Sequence, residues 1–229
     1  MRFVILGVAA VIVVVAARQF LRENRAADIV AEEAVLTGMP NPLPLHVEEE
    51  VTTILDDIEL LSGAERILQT RNLVRVYVAA GRFDHAANHQ RAIAEETEAA
   101  EDWRLAGDYY YGWMRYAQSA GGPALAIADH AIDAYENVLE TEPNNLDVRT
   151  DLATAYLGSS QPMKAVDEIK NVLGRDSTHL EARFNYGVML AQIGSAGAAV
   201  AHFERVMSAS SPDSDHYRQA AQAIRAVQP

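Results

Sequence analysis

Residues 146–212 of this chain read as one unit written twice. At an offset of 34 residues Leu152 aligns with Tyr186, Ala153 with Gly187, Tyr156 with Leu190, Ala165 with Ala199, Ile169 with Phe203 and Val172 with Val206. Apolar and small residues at these intervals mark the inner faces of two short helices. Such a pair buries its apolar face only by stacking on neighbours of its own kind. The spacing therefore predicts an all-α stack of helical hairpins.

Two further copies lie upstream. One starts at Ile67 and puts Leu73, Tyr77, Gly81, Ala86 and Ile93 at positions 7, 11, 15, 20 and 27. The other, read from Gly107 to Asn145, has Trp113 at position 7 and Gly121 at 15. Its turn Gly121-Gly122-Pro123 and neighbours add five residues before Ala131, Tyr135, Val138, Leu139 and Pro143 restore the phase. The tripeptide Asp84-His85-Ala86 returns as Asp129-His130-Ala131.

The repeats are then expected at about 67–100, 107–145, 146–179 and 180–213. A capping helix at 214–227 carries Tyr217, Ala220, Ala221 and Ile224 on one stripe. Ahead of the first repeat, Val47, Val51, Ile54, Leu55, Ile58 and Leu61 predict one more amphipathic helix, closed by Gly63 as its C-cap.

The N-terminus has a different character. Phe3 to Ala17 is an unbroken run of apolar residues and glycine, flanked by Arg2 and by Arg18, Arg22 and Arg25. A helix of that length spans about 22 Å, and snorkelling arginines extend its reach toward the roughly 30 Å hydrocarbon core. Residues 1–25 are read as a single-pass membrane anchor, with a signal peptide cleaved after Val15-Ala16-Ala17 as the alternative. Residues 26–46 form a short helix and a proline linker holding Pro40, Pro42 and Pro44, and 47–229 form the helical domain. The basic start running straight into the apolar segment is similar to a signal-anchor and favours a domain outside the cytoplasm, whereas the three arginines after the run against Arg2 before it favour a cytoplasmic one.

Charge narrows the partners. The chain carries −13, and the first 30 residues hold four arginines against two acids, so the remainder is more acidic still. A field of that sign repels phosphate backbones, so nucleic acid is not an expected partner. With no cysteine, thiolate metal sites, disulfides and thiol catalysis are excluded.

The repeated residues resemble the tetratricopeptide repeat superfamily over residues 67–227. Its signature has a bulky residue at position 4, Leu at 7, Gly or Ala at 8, Tyr at 11, Ala at 20, an aromatic at 24 and Pro at 32. This chain matches at Leu152, Ala153, Tyr156 and Ala165, at Gly187, Ala199 and Phe203, and at Ala131, Tyr135 and Pro143. It departs at position 4, where Thr70, Arg149 and Arg183 stand.

The resemblance implies that the first helix of each pair lines a concave groove, with positions 2, 5, 9, 12 and 13 facing it. Carried over, positions 5 and 9 are Arg71 and Arg75, Tyr111 and Arg115, Thr150 and Thr154, and Phe184 and Val188. Three arginines in an acidic protein suit a protein or peptide partner with acidic or C-terminal carboxylate groups. The opposing expectation is that they pair with acids of neighbouring helices such as Glu65 or Asp108. The expected function is a membrane-anchored scaffold that binds proteins and supports assembly of a membrane-associated complex, with no cofactor and no catalysis. The alternative is a permanent structural subunit of such a complex, its anchor packed against other membrane helices.

His85 and His89, at i and i+4 on a predicted helix, raise a third reading, a metal-dependent enzyme. No glutamate follows His85, so exposed helix histidines are the plainer expectation. The aromatic run from Trp103 to Tyr116 is expected to bury Trp103, Tyr110 and Trp113 and to leave Tyr109 and Tyr111 exposed.

Overall fold

The computed structural model describes residues 43–228, within which the chain forms ten helices and no strand. In order they are α1 Leu45–Leu60, α2 Gly63–Ala79, α3 Phe83–Thr97, α4 Ala100–Ala120, α5 Ala124–Thr141, α6 Leu146–Leu157, α7 Pro162–Arg175, α8 Leu180–Gln192, α9 Ala196–Ser208 and α10 Asp215–Val227. The segment 3–17 expected to enter the membrane lies outside the described residues. Among the described residues no helix is long and apolar enough to cross a membrane.

The chain divides into two compact units, one ending at Asp102 and the other beginning at Trp103. In the first, α1, α2 and α3 bury Val51 and Ile54, Leu73, Val74 and Tyr77, and Ala86, Ala87, Ile93 and Ala94. Gly63 does not close α1. Leu61 is its C-cap, and Gly63, with φ at 55°, opens α2, a conformation that costs glycine little.

In the second unit the hairpins α6/α7 and α8/α9 are of near-standard length, at 12 and 14 and at 13 and 13 residues. Their ends are chemically marked. Asn145 caps α6 by accepting from the Val148 amide at 3.1 Å, Pro162 stands at the start of α7, and Ser214 caps α10 by accepting from the Tyr217 amide at 3.2 Å. Ile169, Val172, Phe203 and Val206 are fully buried. Ala220 and Ile224 of α10 close the last hairpin by packing on Ala199 and Phe203.

Hairpin α4/α5 is longer, at 21 and 18 residues, and its register differs from the sequence reading. A Cβ on Gly187 would fall 2.6 Å from the Phe203 ring, and a Cβ on Gly107 would fall 2.5 Å from the Tyr135 ring. Gly107 is thus the counterpart of Gly187 at position 8, not a position 1. The repeat begins with Ala100, and Trp103, Ala106, Gly107 and Tyr110 fill positions 4, 7, 8 and 11. The extra residues are not a loop. Gly121, at φ 74°, lies 14 residues after Gly107, whereas Gly194, at φ 80°, lies 7 after Gly187, so α4 gains close to two helical turns before an ordinary turn.

As expected, Trp103, Tyr110 and Trp113 are buried; Tyr109 and Tyr111 are half-buried instead of exposed.

Candidate functional site

The second unit presents the first helices of its hairpins, α4, α6 and α8, and the capping helix α10 on one face. Side chains bridge α4 to α6 and α6 to α8. Arg104 of α4 approaches Asp151 of α6 at 3.7 Å. Asn185 of α8 donates through Nδ2 to Thr154 Oγ1 of α6 at 3.0 Å. His179, capping α8, meets Asp147 of α6 at 3.1 Å.

The corrected register moves the groove positions of the second repeat. Positions 5 and 9 are Arg104 and Asp108; Tyr111 and Arg115 lie further along the same helix. The signal was present in the sequence as Trp103-x-x-Ala106-Gly107-x-x-Tyr110, which meets the family signature at positions 4, 8 and 11 and departs from it at 7, where Ala replaces Leu. Asp108 accepts from the Tyr135 hydroxyl at 2.9 Å. Burial raises the Asp108 carboxyl against that bond and the Arg104 charge.

Of the other residues expected in the groove, Thr150 is fully buried and donates to the Leu146 carbonyl at 2.8 Å, so it offers nothing to a partner. Thr154 donates to the Thr150 carbonyl at 2.9 Å and accepts from Asn185. Phe184 packs on Phe203 with ring centroids 5.4 Å apart, and it and Val188 flank the buried cluster of the last hairpin while staying partly accessible. Tyr111 stays half-buried and Arg115 is exposed.

The face is acidic. Burial pushes the Asp151 carboxyl up to about 7, reinforced by the carboxylates of Asp108, Glu181 and Asp147 and opposed by Arg104. Burial, Asp151 and Glu181 likewise raise the Tyr111 phenol against Arg115. Four acids lean on one another here, and Arg104 is the basic group that counters them at Asp151.

Arg71 and Arg75 belong to the first unit. Arg71 forms two parallel bonds to Asp102, Nη1 to Oδ1 at 2.6 Å and Nη2 to Oδ2 at 2.7 Å. The partner is an acid of a neighbouring helix, though neither Glu65 nor Asp108. Asp102 is buried and also accepts from Thr97 at 2.7 Å and from Gln90 at 3.1 Å. Burial raises its carboxyl, but the bond from Arg71, then Thr97 and Gln90, outweigh it and hold Asp102 below the usual carboxylate range. Arg75 is exposed, donates to Asn72 at 3.2 Å, and lines a cleft of 530 Å³ with His46, Val47, Glu50 and Val76.

The histidine pair serves packing. His85 and His89 both stack on the Tyr77 ring, with centroids 4.7 and 5.6 Å away. The second copy of the tripeptide does the same, His130 stacking on Tyr110 at 5.1 Å. Burial, and behind it His85, push His89 down to about 4. Among the described residues no group of three histidine, aspartate or glutamate side chains is placed to hold a metal ion.

The backbone is similar to that of TTC0263, a thermophilic TPR protein of Thermus thermophilus. The TM-score is 0.56 at 15% identity, over 89% of this chain and 99% of that one. The chain has a tetratricopeptide-type helical-repeat fold. Other similar structures are MamA, at a TM-score of 0.49 and 13% identity over 79% of this chain and 90% of its own, and YrrB, a TPR protein with an unusual peptide-binding site, at 0.45 and 20% over 76% and 82%. No protein-family model matches the chain and no curated protein does.

Proposed function

We propose that the chain is a protein-binding repeat module whose working surface is the first-helix face of the second unit, formed by α4, α6, α8 and α10. One observation carries this reading. Asp151, partly covered, is surrounded by carboxylates that no compact core requires, while Tyr111 near it and Phe184 in the cleft with Glu181 keep accessible aromatic surface. Charge gathered at a cost to the folded state is better explained by recognition than by packing. Of the arginines first expected to grip a carboxylate, Arg71 is committed to Asp102 and Arg75 donates to Asn72.

The reading extends to a scaffold held at a membrane by residues 3–17, with the helical domain outside the cytoplasm, supporting assembly of a membrane-associated complex. The apolar run with arginines on both flanks supports the membrane segment, and the basic start leading straight into that run supports the orientation, against the three arginines on the domain side, which favour a cytoplasmic domain. The rival is a permanent subunit, its anchor packed through Gly7, Ala9, Ala10, Ala16 and Ala17 against other membrane helices.

A photo-crosslinking amino acid placed at Tyr111, and separately at exposed Leu60 of the first unit, tests the surface in intact membranes. A partner adduct is expected from position 111 alone. Adducts from neither position, or equal adducts from both, would reject the surface. Salt washing of the same membranes separates the rivals: an adaptor releases its partner, and a subunit stays stoichiometric.

A further inference from the structure

Between α8 and α10 the face opens into a cleft of 240 Å³ lined by Glu181, Phe184, Asn185, Asp215, His216 and Gln219. That volume is below the ~300 Å³ at which sites for drug-sized ligands begin, so it suits one long side chain. Two of its six lining side chains are carboxylates. Asn185 donates one of its two amide N–H groups to Thr154, which fixes the side chain in place. Glu181 and Asp215 are acceptors only. Asp215 also pairs with Arg218, but both side chains are mostly exposed, at 77% and 64%, and such a pair is readily exchanged. Phe184 adds an aromatic surface, seated on Phe203 and so fixed in place.

We propose that this cleft takes an arginine side chain from a segment of the partner protein. The inference rests on the reading of this face as a protein-binding surface and names the partner's chemistry there. A guanidinium has five donors and no acceptor, the complement of the Glu181 and Asp215 carboxylates. Its flat, weakly hydrated ion stacks on an aromatic ring, which a compact ammonium does less well. The surroundings agree, since Glu181 contributes to the field that raises Asp151 and an incoming cation relieves that repulsion. The partner segment is thus basic, the reverse of the acidic ligand expected from Arg71, Arg75 and Arg115.

The test uses the full chain in detergent micelles at physiological salt and four fluorescein-labelled, end-blocked nonapeptides. In these glycine alternates with arginine, lysine, glutamate or serine, and binding is read by fluorescence anisotropy. The arginine peptide is expected to bind at least about fivefold more tightly than the lysine peptide, because only the guanidinium fork matches the acceptors. Glu181→Gln is expected to weaken it about tenfold. Gln219→Arg, which supplies a guanidinium from within the cleft, is expected to do the same. Glu48→Gln, on α1, is expected to change nothing.

Equal affinity for arginine and lysine peptides, or arginine binding that survives both cleft substitutions, would overturn the proposal as general attraction of cations to an acidic protein. Binding of the serine or glutamate peptide without the arginine peptide would overturn the cleft assignment and leave the protein-binding surface standing. Binding of none of the four would overturn both.

Discussion

The ring of Tyr135 occupies the space in which a side chain on Gly107 would begin, its nearest carbon 2.5 Å from where that Cβ would lie. Gly187 and Phe203 repeat the arrangement in the last hairpin at 2.6 Å. Both rings are fully buried and cannot swing aside. Gly107→Ala is therefore expected to destabilise the second unit by about 1–3 kcal/mol, the usual range for overpacking. Gly174→Ala, in open space near the end of α7, should be neutral or stabilise by up to about 1 kcal/mol. Denaturant melts of the two variants check this. Equal stability would remove the close approach as the mark of the repeat register.

The Arg71–Asp102 pair sets the acid limit of the first unit. Because the Asp102 carboxyl is held below its ordinary 3.8, the stability it contributes is present above pH 3.8 and lost as pH falls through the lower native value. Asp102→Asn should flatten the dependence of stability on pH below 4 while lowering stability at neutral pH. Arg71→Ala leaves a buried carboxylate with only the Thr97 and Gln90 donors and should cost about 2–4 kcal/mol, toward the lower part of the range for broken buried pairs because Arg71 is partly exposed. Melts at pH 7 measure the neutral-pH losses, and a series from pH 4 downward reads the flattened slope.

His89 acts with the opposite sense. It is neutral in the fold and titrates at about 4, against 6.5 for a free histidine. Its contribution is intact above pH 6.5 and lost as pH falls from 6.5 toward 4, up to about 3 kcal/mol in all. His89→Gln should remove that slope, and melts between pH 7.5 and 4.5 read it directly. A slope that persists undiminished in the variant assigns it to another group.

Asp151 is a standing cost. With its carboxyl raised to about 7, the folded state favours its protonated form, so a penalty appears as pH rises above 3.8 and is complete above 7. Asp151→Asn should stabilise the chain by about 1–3 kcal/mol at pH 8 and leave it unchanged near pH 3.5. A destabilising effect at pH 8 would show that Asp151 supports packing instead of awaiting a partner.

The hairpin fold was legible because helix faces repeat at fixed intervals, and the pair Leu152/Tyr186 with its neighbours fixes that interval without any contact being known. The register of the longer hairpin was not. Shifting a helix by seven residues turns it by nearly two full revolutions, so Trp113 presents almost the same face as Ala106 and satisfies the same pattern. Only a position intolerant of any side chain, such as Gly107 under Tyr135, distinguishes the two placements. The expected groove positions shift with the register, so that positions 5 and 9 fall on Arg104 and Asp108 and Tyr111 falls on position 12. The partners of Thr150 and Arg71 were not legible for another reason. Whether a threonine at a helix surface is covered, or an arginine already engaged, depends on residues distant in sequence, and Asp102 lies 31 positions from Arg71. The recurrence of Asp-His-Ala was seen, but not its purpose, because the stacking of His85 on Tyr77 and of His130 on Tyr110 joins two helices across a turn.

The added turns in α4 and α5 carry the tip around Gly121 and Leu125 roughly 10 Å past the ends of ordinary hairpins in the same unit, at 1.5 Å per residue. Nothing in the packing of Gly107 on Tyr135 depends on what happens at that distal end. The tip is therefore a handle: a fluorophore, an epitope or a small reporter domain grafted between Gly121 and Ala124 can follow the protein through a cell without touching either the core or the acidic face.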